Sequence, residues 1–277
     1  KGWNYDINEI ELLKEMELNA GIFCAIVDDT KAQVLKYSDK LAIIDDIFYD
    51  ADDDLCKYEY DKIAKYFPKL SIFTITENLY SNHSFSLEKI TACFISEHIE
   101  HLFLNFNENS IKTFQQICYE LKGIPYNLII NSMCSIRWEN AFLEIYRSIE
   151  QLFGIVMIDE LYKKMNPPNI SKFEFYSIVS DLSFWKPKED NSIEKIMEIL
   201  PNEIKTGLEN LKNSLKSDNE MNLAKWFYQI RNSIVHFRQQ DSNIKKKFKD
   251  KDWCDLVNNS LNIMYYLYSE IWPKDNI

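Results

Sequence analysis

With 277 residues, 46% of them hydrophobic and 14% aromatic, the chain has material for one large or two ordinary globular domains with a sizeable core. A net charge of −11 and an isoelectric point near 5.0 exclude a general nucleic-acid coat protein, whose affinity comes from Lys and Arg neutralising phosphates, and leave room for a local basic patch only. The six cysteines are scattered without a C-x-x-C pair, which excludes a zinc ribbon and suits reduced thiols in a cytoplasm; no apolar run reaches membrane-spanning length and no charged-then-apolar leader opens the chain. The chain opens at Lys1 and not at Met, which leaves room for an upstream portion.

In chain order, residues 8–19 carry a rough apolar stripe and read as a helix stopped by Asn19-Ala20-Gly21. Residues 21–27 form a short apolar run bounded by Asp28-Asp29 and read as a buried strand, and residues 70–76 alternate after Pro68 and read as another. Residues 87–103 read as helix, 101–106 as a turn into strand, 110–121 as helix and 126–130 as a third strand. Alternating strand and helix predict a small mixed α/β domain over residues 1–135.

Two features of this half invite a metal. The acidic run Asp45, Asp46, Asp50, Asp52, Asp53 and Asp54 lacks the spaced oxygens and turn glycine of an EF-hand loop and reads as a solvated loop. His98 and His101 stand three apart with Glu97 and Glu100 beside them, yet without a third ligand at recognisable spacing they read as surface or packing histidines, so no metal ligand and no cofactor is assigned. Glycine-rich phosphate loops and the G-x-S-x-G elbow do not occur.

From about residue 136 the text becomes uninterruptedly helical. Trp138, Ala141, Phe142, Ile145, Ile149, Leu152 and Phe153 form one stripe over 138–153, with Glu139, Tyr146 and Glu150 on a flank and Arg147 beside them. Turns are expected at 165–169 and 185–188, further helices at 173–182, 193–200 and 204–215, and a closing helix at 253–272. The stretch 223–237 is the most informative. Leu223, Trp226, Phe227, Ile230, Ile234 and Phe237 recur at helical spacing, Asn232 and His236 fall nearly opposite the stripe, and Arg231 lies on its flank. Four residues apart on a helix, an amide could hold an imidazole in one orientation, and an arginine one turn away offers a fixed fork for phosphate. Lys245, Lys246 and Lys247 open the densest basic run, which extends to Lys251 and, with Arg238, could dock an RNA backbone.

The run Arg231-Asn232-Ser233-Ile234-Val235-His236 resembles the R-x4-6-H signature of the HEPN superfamily, small helical domains of which many are metal-independent endoribonucleases. FLEIYRSIEQLF resembles the first long helix of Apea-like HEPN domains, where an acidic position faces the catalytic Arg and His; Glu150 is the first choice for it and Glu144 the second, the alternative being a surface pair with Arg147.

The resemblance covers residues 136–277 and implies an α+β chain in which an all-α HEPN bundle follows the mixed α/β domain. It implies a homodimer whose two motifs meet, an RNA substrate cut by 2′-hydroxyl attack, and a toxin or anti-phage role with a regulatory protein partner and no membrane. A non-catalytic HEPN binding or sensor module is the alternative. Residues 1–135 are expected to regulate, their acidic run being complementary in sign to the basic segment 245–251.

Overall fold

The computed structural model describes residues 13–35, 41, 43–45, 60–75, 86–183, 185–215, 221–235 and 248–272. His236, Arg238, Lys245, Lys246, Lys247 and most of the acidic run, residues 46–54, therefore lie outside the described residues, as does Phe237. The chain divides into two compact units, Lys1–Phe85 and Ser86–Ile277.

In the first unit, β1 (Leu13–Met16) pairs antiparallel with β2 (Ile72–Ile75), Leu13 opposite Ile75 and Met16 opposite Ile72. The expected strand at 70–76 is present, whereas 13–16, expected inside a helix, is its strand partner. Residues 21–27 are not a strand but the body of α1 (Ala20–Thr30). Asn19 is the reason: its side chain accepts the Ile22 N–H at 3.0 Å and so caps the helix, the role opposite to the stop signal that the sequence suggested. A short helix, α2 (Tyr60–Ala64), precedes β2. Phe23 of α1 is buried edge-on against Phe67.

The regular elements described in the second unit are all helical: α3 (Leu87–Glu97), a 3-10 turn (Ile99–His101), α4 (Glu108–Glu120), α5 (Tyr126–Met133), α6 (Trp138–Glu150), α7 (Phe153–Met165), α8 (Lys172–Ser183), α9 (Glu189–Ile199), α10 (Asn202–Ser214), α11 (Leu223–Val235), α12 (Asp250–Tyr266) and a closing π turn (Leu267–Ile271). Residues 126–130 are thus helix and not strand, and 101–106 holds no strand. Short apolar runs fit either period, and here Tyr126, Ile129 and Met133 fall on one buried helical face. The described residues are mostly helical with one two-stranded sheet, an α+β composition. Among them no helix is long and apolar enough to cross a membrane.

The helices of 87–133, which the sequence grouped with the N-terminal domain, share one core with the helices that follow, so the division falls at 85/86 and not near 135. α6 is central: it packs on α5, α11 and α12, while α12 also packs on α4 and α10. Its predicted stripe is buried in full, from Trp138 through Ile149, and Leu152 and Phe153 continue it past the helix end. Phe142 meets Phe227 edge-on at 5.5 Å, and Tyr146 stacks on Phe227 at 5.7 Å, so three aromatic rings lock α11 onto α6. Phe142 also lies 6.4 Å from Trp253 of α12. α7, which the sequence reading left unassigned, packs on α8 and α9, and α9 packs in turn on α11.

Candidate functional site

Arg231 stands one turn beyond Phe227 on α11, on the flank of a helix whose Trp226, Phe227 and Ile230 are buried. Locking Phe227 between Phe142 and Tyr146 therefore sets where Arg231 emerges. The guanidinium lies over the Tyr146 ring, 5.7 Å from its centroid, a cation–π approach on a ring held by the core. Its Nε meets Glu189 Oε1 at 3.1 Å, one Nη donates to Asn232 Oδ1 at 3.0 Å, and the other lies 3.9 Å from Glu150 Oε1. The Tyr146 hydroxyl donates to the same Glu189 Oε1 at 3.0 Å.

Of the residues singled out from sequence, Arg231, Asn232 and Glu150 come together here, and Glu144 does not: it pairs with Arg147 at 2.6 Å, three residues on along α6. Asn232 turns its amide oxygen to the arginine. Glu189 and Tyr146 complete the cluster, and neither was assigned a role from sequence. Tyr146 was legible only as a flank residue; Glu189, 43 residues from Tyr146, carried no local signal.

The two carboxylates stand in opposite fields. Glu189 is the first residue of α9, where unpaired N–H groups and the helix dipole favour negative charge. Glu150 is the last residue of α6, where orphan carbonyls oppose it. Burial, and after it the charge of Glu189, raise the Glu150 carboxyl above its ordinary range, against the pull of Arg231 and Arg147. Tyr146 is shifted upward by burial first and by Glu189 second, so its hydroxyl stays a donor.

Chemically, the arrangement fixes a planar cation with one firm acidic partner and one loose one. Glu150, 40% exposed against 23% for Glu189 and the more distant from Arg231, is the carboxylate that an incoming anion would displace most readily. Displacement would free an Nη for a phosphoryl oxygen while Glu189, Asn232 and Tyr146 keep the guanidinium in place.

Comparison with protein-family models, with curated proteins and with solved structures finds no match to this chain.

Proposed function

We propose that the C-terminal helices, residues 136–277, work as a HEPN-like, metal-independent endoribonuclease. The ribose 2′-hydroxyl attacks the adjacent phosphorus, the bond to the 5′-oxygen breaks, and the products are a 2′,3′-cyclic phosphate and a 5′-hydroxyl. The observation that carries the reading is the guanidinium of Arg231, gathered between Glu189, Asn232, Tyr146 and Glu150 on the helix that leads into His236.

In this reading Arg231 stabilises charge growing on the phosphoryl oxygens. His236 takes or returns the proton, a task suited to imidazole near neutral pH. Asn232 and Glu189 are positioning residues for Arg231, and Glu150 yields its place to the phosphate. Lys245, Lys246, Lys247 and Arg238 contact the RNA backbone, and two protomers join through the helical unit with their motifs facing. Such an enzyme must be restrained in its host cytoplasm, which fits a toxin or anti-phage effector held in check by a partner protein or by the N-terminal residues.

Incubation of the full chain with total RNA in EDTA tests this. Cleavage is expected, leaving cyclic phosphate ends, and Arg231→Ala or His236→Ala should slow it by on the order of a hundredfold or more. Absence of cleavage by the wild type, or full cleavage by the double variant, overturns it. The second reading, a non-catalytic binding module, is favoured by one observation: the two carboxylates near Arg231 outnumber its single charge. That reading predicts association with a partner and no new RNA ends.

A further inference from the structure

At the C-terminal end of α3 the backbone tightens into the 3-10 turn Ile99–His101, with the N–H of His101 bonded to the carbonyl of His98 and that of Leu102 to Ile99, both at 3.1 Å. In 3-10 geometry residues three apart eclipse one another, so His98 and His101 are brought onto one face. Their rings lie 6.4 Å apart and within 23° of parallel. The turn is anchored from beneath, since Ile99 is wholly buried and Leu104 nearly so. Glu100, which lies between the two histidines at no recognised ligand spacing, is brought to them by the turn: one donor atom from each of His98, Glu100 and His101 lies within 4.8 Å of the others.

We propose that His98, Glu100 and His101 form a binding site for one divalent first-row transition-metal ion of the zinc class, held by two imidazoles and one carboxylate with the remaining coordination positions open to solvent.

The donor set selects the ion: imidazole nitrogen with a single carboxylate suits Zn²⁺, Co²⁺ or Ni²⁺, whereas Ca²⁺ and Mg²⁺ ask for oxygen ligands throughout. Metal–ligand bonds of about 2.0–2.1 Å in a tetrahedron put donors roughly 3.3 Å apart, against a present spacing within 4.8 Å, so binding asks the side chains to draw in by little more than an ångström. His98 is buried, with its ring edge-on to Phe94 at 4.8 Å, and serves as the fixed ligand. His101 and Glu100 are exposed, with His101 Nε2 3.5 Å from Glu100 Oε1, so solvent reaches the ligand atoms that would meet it. Burial, the largest influence at His98, and His101 oppose positive charge there, while the nearby carboxylates Glu100 and Glu97 favour it; Glu97 accepts from the Gln115 amide at 3.4 Å. This site shares no residue with the Arg231 cluster and does not depend on the ribonuclease reading.

The test uses the full chain freed of metal with a chelator and titrated with ZnCl₂ by calorimetry, and with Co²⁺ by the visible d–d bands of the bound ion. One ion per chain is expected. His101→Ala and Glu100→Gln change exposed side chains and leave the fold intact by circular dichroism, and each should weaken binding by about tenfold or more, as loss of a ligand does. His98→Ala should do at least as much. Absence of saturable one-to-one binding, or variants that bind as tightly as the wild type and so place the ion elsewhere, would overturn the proposal. RNA cleavage in EDTA is read separately: its failure sinks the ribonuclease and leaves this site standing.

Discussion

Arg231 and Glu189 meet at 3.1 Å between α11 and α9, and the same carboxylate oxygen takes the Tyr146 hydroxyl from α6. One acceptor thus joins three helices at the point where the motif arginine emerges. The acceptor is the first residue of α9, where the helix dipole and the unpaired N–H groups favour a carboxylate.

Removing that acceptor should be costly. Glu189→Ala leaves the buried Tyr146 hydroxyl and Arg231 Nε without their oxygen, and a stranded buried donor costs about 1–3 kcal/mol. Glu189→Gln keeps an oxygen and should lose less. Urea denaturation of the three proteins measures it, and an alanine variant within roughly 0.5 kcal/mol of wild type, the range of a neutral surface change, would remove Glu189 from the junction. A cycle with Tyr146→Phe should show coupling between the two positions.

The aromatic lock gives a second expectation. Phe227 is buried between Phe142 and Tyr146, so Phe227→Ala should destabilise the helical unit by about 3–5 kcal/mol through lost burial and the cavity it opens. Phe227→Leu retains most of the volume and should fold. If Arg231 is placed through this ring, the leucine variant should lose RNA cleavage more than stability; equal and small losses in both would detach the lock from the site.

Much of this site was readable because helical periodicity is local. The stripe of α11 is written within 13 residues, Trp226, Phe227 and Ile230 lie buried where their spacing puts them, and Arg231 sits on the flank. Glu189 was not readable, because its meaning depends on chain folding back over a gap that no pattern spans. The strand expected at 126–130 failed for another reason: Tyr126, Ile129 and Ile130 form a run too short for its period to separate strand from buried helix. Asn19 misled because asparagine serves at both ends of helices, and only the bond from Ile22 N–H decides which. The pairing of 13–16 with 72–75 is a long-range contact of the same illegible kind.

Packing between α7 and α8 rests on a close approach. A Cβ on Gly154 would fall inside the van der Waals envelope of the Tyr176 ring, which also meets Trp185 edge-on at 6.4 Å. Gly154→Ala should therefore destabilise by about 1–3 kcal/mol despite alanine's better helix propensity. Pairing it with Tyr176→Leu, which withdraws the ring, should recover part of the loss. A single variant as stable as wild type, by thermal melting, would mean that the ring turns aside at no cost.

Glu150 should behave in the opposite sense to Glu189. Burial first and the Glu189 charge second hold its carboxyl above the ordinary 4.5, with Arg231 and Arg147 only partly offsetting them. A carboxyl whose pKa is higher folded than unfolded binds its proton more tightly in the folded state. Between those two values the folded protein carries more protons, so stability falls as pH rises, and the loss is complete above the folded value. Glu150 thus costs stability at neutral pH and not below 4.5, where both states are protonated. Glu150→Gln, which stays neutral throughout, should melt at or slightly above the wild type at pH 7, with the gap closing as pH falls through the raised pKa. The gap should be small, because the side chain is 40% exposed and solvent screens its charge. Melting curves of both proteins across the acidic range decide the sign: a glutamine variant that melts below wild type at pH 7 and matches it in acid would mean that attraction to Arg231 outweighs burial and repulsion. In that event Glu150 would be a firm partner of the arginine, and the phosphate would have to enter without displacing it.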